Sequence, residues 1–418
     1  MHSAICTPLI ALLLAVIPDT LVVCPPQFRQ ALQVWHAYRS SQGHIIEVIE
    51  PPDDADDLQR TIRTVARSGH LETIVLIGDV PHPDSTMHSL GVPTNYITAK
   101  VNVRWGSEPQ IATDIRYADT NEDGLPDVAV GRIPVDTAGE LTRVIEKTIR
   151  YESRLVPDPA SREIHVFAGV GGFGSMIDQL IESVAHQLAT QFVPKDHHVH
   201  LLRADKSAPL PVMSTQVRKQ LKQESEAWIY LGHGDRQALI GYATSAGAIP
   251  ILTTADLARR PLEPGSRGAP LAILLACHAG AFDAQHDCFA EELLVQPGGP
   301  VGVLASTRVS MPYGNIVLGC ELLRARFVDP IQTLGQWLLT AQTRVLSASE
   351  QDPCRKALDQ VATGLAPPPA DLLRERCEHV AMYHLLGDPL TRISGSSAAD
   401  GKHPTVRVAE ESGSGKQQ

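Results

Sequence analysis

Two short apolar runs, each ending at a reactive side chain, constrain this chain more than any other feature. Residues 228–232 (Trp-Ile-Tyr-Leu-Gly) end at His233, and residues 271–276 (Leu-Ala-Ile-Leu-Leu-Ala) end at Cys277. Short apolar runs bounded by glycine or turn residues are typical of strands that are buried on both faces, as in parallel sheets. Catalytic groups in such sheets collect at the carboxyl ends of the strands. If the two strands are parallel neighbours, His233 and Cys277 meet at one edge of the sheet, and the working hypothesis is that Cys277 is a nucleophile with His233 as its partner.

The order of strand-like and helical patterns predicts an α/β fold with two parallel-sheet subdomains. Residues 20–158 alternate apolar and amphipathic segments, and a proline-rich break at 156–160 separates them from a second alternation over residues 161–393. Within this second unit, residues 371–386 have the pattern of a helix that ends at Gly387. Residues 394–418 are rich in Ser, Gly and Lys and have no apolar period, which predicts a disordered tail.

Composition and charge exclude several classes of protein. The net charge of -11, with no basic patch, argues against nucleic-acid binding. The seven cysteines contain no CxxC pair, so neither a zinc ribbon nor a dense disulfide framework is indicated. The apolar residues 9–17 are too short to span a bilayer, and we expect no membrane span. Residues 1–19 suit either a signal segment, which favours a secreted or cell-envelope protein, or a buried N-terminal element.

One acidic loop has the spacing of a calcium site. Oxygen donors alternate along the loop in the order Asp119, Asn121, Asp123, the backbone carbonyl of Leu125, and Asp127. Gly124 stands at the sixth position, as in the first half of an EF-hand loop. Val130 occupies the twelfth position, where a bidentate Glu is normally found, so another segment has to complete the shell, with Asp114 as the candidate. The alternative is a turn rich in Asp and Asn that holds no ion.

Three further patterns offer alternative sites. Residues from Gly169 to Gly174 form G-x-G-x-x-G between a strand and a helix, which is the setting of a dinucleotide site, but the next acidic residue comes too late in the chain. A zinc site could use Cys277, His278, His286 and Cys288, although its geometry at a strand end is awkward. The histidines at 197, 198 and 200 alternate in direction along a strand entrance, so a solvated turn is the simpler interpretation.

Several blocks of the chain resemble the gingipain family of caspase-like cysteine peptidases. They include residues 230–234 (Tyr-Leu-Gly-His-Gly), the segment from Cys277 to Gly280, the acidic loop through residue 134, and residues 386–389 (Leu-Gly-Asp-Pro). The resemblance extends from about residue 20 to 393. It implies two α/β subdomains, of which the second is a caspase-like α/β sandwich, and it implies that the acidic loop binds a structural calcium ion.

The same resemblance implies site residues and substrates. His233 would be the general acid and base, Cys277 the nucleophile, and the N–H groups of Gly234 and Cys277 the oxyanion hole. The substrates would be proteins or peptides. His278 is interpreted as a bystander, because adjacent residues of an extended chain diverge. No acidic specificity residue can be carried over, so a preference for Arg or Lys is not implied. The second hypothesis is a catalytically silent protein-binding module of the same fold.

Overall fold

One eleven-stranded sheet runs through the part of the chain that the computed structural model describes. The described residues are 17–81, 91–154, 162–169, 192–204, 210–223, 225–244, 247–263, 271–347, 352–365, 371–393 and 406–408. The strands of this sheet are β1 (Thr20–Val23), β2 (Ile46–Ile49), β3 (Thr73–Ile77), β6 (Ala129–Ile133), β7 (Glu163–Ala168), β8 (His198–Arg203), β9 (Ala227–Leu231), β13 (Leu271–Leu275), β14 (Gly302–Ser306), β15 (Tyr383–Gly387) and β16 (Val406–Val408). The α/β class predicted from the sequence is therefore confirmed.

Two small sheets and a set of helices complete the described fold. One small sheet pairs β4 (Asn95–Thr98) with β5 (Gln110–Thr113), and the other contains β10 (His233–Asp235), β11 (Ala238–Thr244) and β12 (Gly247–Thr253). The α-helices are α1 (Arg29–Ser41), α2 (Ala55–Ala66), α3 (Ile115–Ala118), α4 (Ala138–Glu152), α5 (Leu210–Lys222), α6 (Thr254–Arg259), α7 (Phe289–Val295), α8 (Pro312–Val328), α9 (Leu334–Leu346), α10 (Pro353–Leu365) and α11 (Leu372–Met382).

The large sheet contains two parallel halves that meet at β15. Its strand order is β16-β8-β7-β9-β13-β14-β15-β6-β3-β1-β2. Strand β15 pairs antiparallel with β14 and parallel with β6, whereas the other neighbours in the sheet are parallel. The strands of the two halves therefore run in opposite directions, and the first residue of β15, Tyr383, lies at the edge where β9, β13 and β14 end. The predicted boundary between the subdomains lies outside the described residues.

The structure corrects the prediction of a continuous helix over residues 371–386. Helix α11 ends at Met382, and the next five residues form β15. These residues are apolar enough to continue a helix, but their backbone groups find partners on β14, and their side chains are buried. The predicted disordered tail also differs in one place, because Val406–Val408 pairs with β8 as an edge strand. The rest of residues 394–418 lies outside the described residues.

Helices cover both faces of the sheet, as the continuous apolar runs predict. Alternate residues of β13 face two different hydrophobic cores. Ala272 and Leu274 share one core with residues of α1, α4, α5 and α7, which include Trp35, Leu141, Val217 and Leu293. Ile273 and Leu275 share the other with residues of α8, α9 and α11, which include Val317, Trp337 and Val380. The strand that leads to Cys277 is thus held on both sides.

Candidate active site

The strands that lead to His233 and Cys277 are parallel neighbours. Strand β9 pairs in parallel with β13 along its whole length, and the last pair in the register is Leu231 with Leu275. Both strands therefore end at the same edge of the sheet, two residues before His233 and two residues before Cys277. His233 and Cys277 are each partly exposed, so this edge is open to a substrate.

The backbone segments that carry the two residues touch each other at Gly234. A Cβ atom at this position would lie 2.6 Å from the carbonyl oxygen of Cys277 and 2.9 Å from the Cβ of Ala276. Such distances are shorter than any real side chain tolerates, so the close approach requires glycine. The glycine after His233 therefore allows the histidine segment to lie directly against the cysteine segment.

A hydrogen bond from Tyr230 holds the histidine segment in place. Its hydroxyl lies 2.8 Å from the carbonyl oxygen of His233 and 3.0 Å from that of Ile240, and its single proton is shared between these two acceptors. This contact requires glycine at position 232, since a Cβ there would lie 2.7 Å from the Tyr230 hydroxyl. Burial raises the pKa of Tyr230, so the phenol stays protonated and acts as a donor.

Cys277 lies at the start of a tight turn against β14. The N–H of His278 donates to the carbonyl of Arg308 at 3.1 Å, and the N–H of Gly280 donates to that of Ser306 at 2.9 Å. His278 has a φ of 56°, in the left-handed region, which points its side chain away from the extended path. A Cβ on Gly280 would lie 2.6 Å from the Cβ of Ala305, so glycine is required there as well.

The thiol of Cys277 is in contact with Ser310. Its Sγ donates to the carbonyl oxygen of Ser310 at 3.6 Å, and the hydroxyl of Ser310 lies 4.0 Å from the same sulfur. Burial raises the pKa of the Cys277 thiol, and the hydroxyl of Ser310, which can donate to the sulfur, acts in the opposite direction. The resting form is therefore the neutral thiol, which needs a base to become a nucleophile.

A charged cluster lies beside the cysteine turn. Glu108 forms an ion pair with Arg236, and its Oε2 lies 3.8 Å from both Nδ1 of His278 and Nε of Arg308. Arg308 also binds the two oxygens of Asp283 at 2.8 and 2.6 Å. The Nδ1 of His278 finds no hydrogen-bond partner among the described residues, and burial lowers the pKa of this imidazole. His278 is therefore neutral at neutral pH and is directed toward Glu108. Sequence reasoning did not find this cluster or Ser310, because both depend on contacts between distant segments.

A comparison of sequences decides the family. The profile of peptidase family C25 matches residues 15–394, which is most of the chain. The chain belongs to peptidase family C25. This is the gingipain family, and the resemblance seen in the sequence is confirmed. The protein is accordingly a cysteine peptidase, and its substrates are proteins or peptides. No curated protein sequence matches the chain.

Solved structures of similar fold include the gingipain RgpB. The Arg-specific cysteine proteinase gingipain R (RgpB) superposes with a TM-score of 0.63 at 15% identity, covering 90% of this chain and 78% of that one. The complex of the pro- and mature domains of RgpB from Porphyromonas gingivalis gives 0.62 at 16% identity, with 90% and 79% covered. A third structure, described only as a protease, gives 0.64 at 16% identity, with 90% and 78% covered. At such identities the likeness establishes the fold.

The acidic loop of this C25 peptidase is folded as a series of tight turns. Asp119 accepts hydrogen bonds from two loop N–H groups at 2.8 and 3.1 Å, and Asn121 and Asp123 each accept one, at 2.9 and 2.8 Å. Asp127 accepts from the side chain of Asn121 at 3.0 Å. Gly124 has a φ of 84°, the left-handed conformation that the sixth position of a calcium loop needs.

The structure does not leave Asp114 free to complete a calcium shell. Its two oxygens accept hydrogen bonds from Arg132 at 2.8 and 2.9 Å, and one of them also accepts from Thr94 at 2.8 Å. Burial alone would raise the pKa of Asp114, but Arg132 and Thr94 outweigh it and hold the pKa below its ordinary value. Asp114 is thus an ion-pair partner of Arg132 inside the N-terminal half.

The alternative sites receive no support in the described residues. Among those residues, no three His, Cys, Asp or Glu side chains converge to hold a metal ion. The set of Cys277, His278, His286 and Cys288 therefore does not form a zinc site in the described structure. His197 lies 3.0 Å from both Asp196 and Glu226, and His200 pairs with Glu163, so these histidines have separate carboxylate partners. Of the glycine-rich turn only Gly169 is described. No helix in the described ranges is long and apolar enough to cross a membrane.

Proposed function

We propose that this C25 peptidase cleaves peptide bonds with Cys277 as the nucleophile and His233 as the general acid and base. The observation that carries the proposal is the direct contact between the two strand-end segments, in which Gly234 lies against the carbonyl of Cys277. Parallel pairing of β9 and β13 brings the imidazole and the thiol to one exposed edge. A cysteine thiol becomes a nucleophile when a nearby imidazole takes its proton, which is the role that we propose for His233.

The proposed reaction has two stages. In the first, His233 takes the proton of Cys277 as the sulfur attacks the substrate carbonyl carbon, and the developing oxyanion accepts hydrogen bonds from the N–H groups of Gly234 and Cys277. The C–N bond then breaks, and His233 returns the proton to the leaving amine, which leaves a thioester. In the second stage, a water molecule gives a proton to His233 as it attacks the thioester. The acid product leaves, and the proton returns to the sulfur.

The test is labelling by a thiol-reactive peptide probe together with hydrolysis of a broad peptide library. We expect Cys277→Ala to abolish both signals. The control is Cys377→Ala, which removes another free, partly buried cysteine that lies in α11; this variant should keep both. A folded wild-type protein that neither binds the probe nor cleaves any peptide would contradict the proposal and favour the silent protein-binding module.

We further propose that the acidic loop binds a structural calcium ion. The donors Asp119, Asn121, Asp123 and Asp127 and the carbonyl of Leu125 are all oxygen atoms, which suits calcium. In the described conformation the acidic side chains face loop N–H groups instead of converging, so binding requires them to turn toward the ion. Four carboxylates lie within these nine residues, at Asp119, Glu122, Asp123 and Asp127, and a bound cation would offset their mutual repulsion.

Thermal unfolding tests the calcium proposal without reference to activity. Addition of calcium to chelator-treated protein should raise the melting temperature by about 5 °C when calcium is about 100-fold above its dissociation constant. Magnesium should have a much smaller effect, because it demands a smaller and more rigid shell. The double variant Asp119→Asn and Asp123→Asn should lose the response. An unchanged melting temperature in the wild type would contradict the site.

We also propose that the protein acts outside the cytoplasm. The apolar residues 9–17 have the length of a signal-peptide core, which supports export. N-terminal sequencing of protein recovered from cell fractions is the measurement. An uncleaved N-terminus in protein confined to the cytosol would contradict this location.

A further inference from the structure

A chain of three hydroxyl and amide groups leads from the sheet to the sulfur of Cys277. The hydroxyl of Tyr383 donates to Oδ1 of Asn315 at 2.7 Å. The Nδ2 of Asn315 donates to Oγ of Ser310 at 3.1 Å. The hydroxyl of Ser310 lies 4.0 Å from Sγ of Cys277 and is oriented as a donor to it.

The direction of donation is the same at every link. A hydroxyl group has one proton and can also accept, so Oγ of Ser310 accepts from Asn315 while its own proton can be directed at the sulfur. Likewise, the Tyr383 proton points at Asn315, which keeps the amide oriented with its NH₂ group toward Ser310. Hydrogen bonds that run in one direction polarise each other, so the last donor in the chain is strengthened.

The protein holds this chain rigidly. Tyr383 is fully buried at the start of β15, and Ser310 is 4% exposed. The next residue after Ser310, Met311, is held through its N–H, which donates to Nε2 of the buried His379 at 2.9 Å. Gly314 lies against the same imidazole, since a Cβ there would fall 2.4 Å from the ring. The segment from Ser310 to Gly314 is thus held in one position by buried contacts.

We propose that Ser310 is a positioning residue that donates a hydrogen bond to the sulfur of Cys277 and favours its thiolate over its thiol. This inference rests on the proposed role of Cys277. In the thiol form, the S–H group donates to the carbonyl of Ser310 at 3.6 Å. When the proton passes to His233, that bond is lost, and the hydroxyl of Ser310 becomes the donor to the anion. Hydrogen bonds to a charged acceptor are shorter and stronger than neutral ones, so the contact tightens as the charge forms.

Other groups around the sulfur set the background for this effect. Tyr230 from β9 and Tyr383 from β15 are the titratable side chains that interact with it, and His233 of β10 is the proposed base. Burial raises the pKa of Cys277, and the hydroxyl of Ser310, which can donate to the sulfur, acts to lower it. Because both tyrosines are protonated donors, neither adds a charge over the range in which the thiol titrates.

The test is the pH dependence of alkylation at Cys277 in the full-length protein, with iodoacetamide as the probe and the modified peptide quantified by mass spectrometry. We expect Ser310→Ala to raise the apparent pKa of this thiol by about one unit. Tyr383→Phe, which removes the first donor, should raise it by about half as much. Ser310→Thr keeps a hydroxyl and should restore a value close to that of the wild type. Ser306→Ala is the matched control, because its hydroxyl binds the carbonyl of Arg308 in the same segment and does not contact the sulfur.

The outcomes separate this inference from the proposed function. An unchanged thiol pKa in Ser310→Ala, or an equal shift in Ser306→Ala, would overturn the role of Ser310. A misfolded Ser310→Ala leaves the decision to Tyr383→Phe and Ser310→Thr, of which the first must raise the thiol pKa and the second must not. Alkylation reports on the sulfur whether or not peptides are cleaved. The expected shift in a protein without hydrolysis would therefore refute the proposed reaction and leave the donor chain standing.

Discussion

His233→Ala is expected to lower kcat/KM for peptide hydrolysis at neutral pH by about 10²–10⁴-fold, the range typical for loss of a general acid and base. Without the imidazole, the buried thiol of Cys277 has to lose its proton to water, because burial raises its pKa. The loss should become smaller as the pH approaches the raised pKa of the thiol, where the thiolate forms without a base. The measurement is a pH profile of kcat/KM on one fluorogenic peptide, with circular dichroism to confirm the fold.

His278→Asn is the matched control for this prediction. It removes the histidine next to Cys277 and keeps a residue type that tolerates the left-handed conformation found there. We expect a change of less than about tenfold, since His278 is directed toward Glu108 and would act on the reaction only through the turn. If His278→Asn abolished hydrolysis while His233→Ala retained it, the two histidines would have to exchange their assigned roles.

Arg39→Leu is expected to destabilise the protein by about 3–5 kcal/mol, because it leaves buried carboxylates without their counter-ion. Arg39 is fully buried in α1 and binds Asp388 at 2.6 Å and Glu152 at 2.7 Å. Asp388 follows β15 and also accepts from Trp35 at 2.5 Å, so the arginine ties the N-terminal half to the strand that joins the two halves. Urea unfolding followed by tryptophan fluorescence measures the difference.

Another arginine of the same helix supplies the control. Arg29 pairs with Glu50 at 3.6 Å, and both side chains are largely exposed. Arg29→Leu should therefore change stability by less than about 1 kcal/mol. Equal effects of the two substitutions would contradict the importance of the buried ion pair.

The pH dependence of the Arg39 effect follows from Glu152. Burial acts to raise the pKa of this carboxyl, but Arg39, Arg392 and Gln42 outweigh it and hold the pKa below its ordinary value. A carboxyl with a lowered pKa in the folded state contributes stability above its unfolded pKa, and this contribution disappears as the pH falls through the folded pKa. The difference between wild type and Arg39→Leu should therefore be full at pH 7 and narrow below about pH 4.

Local sequence signals predicted the separate elements well. The apolar residues Thr73–Ile77 form strand β3, and Glu163–Ala168 form β7. Thr137 and Glu140, which have the T-x-x-E spacing of a capping box, form one at the start of α4. These features depend on residues close together in the chain, where apolar period and side-chain capping act directly.

The helix predicted over residues 371–386 shows where such signals fail. The segment that begins at Tyr383 has no local feature that stops a helix, and only pairing with β14 makes it a strand. Sheet preference depends on neighbouring strands more than on the segment itself. The error also hid a part of the site, since Tyr383 reaches Asn315 only from the start of an antiparallel strand.

The sequence by itself determined that His233 and Cys277 follow two buried strands, that glycine follows the histidine, and that the chain is α/β. These features follow from short runs of residues, because apolar patterns and turn residues act on their immediate neighbours in the chain. Only the tertiary structure decided that the two strands are neighbours, that β15 reverses the direction of the sheet, and that Ser310 lies behind the sulfur. Each of these depends on hydrogen bonds and packing between residues far apart in the chain, and no local pattern encodes which distant partner will be chosen.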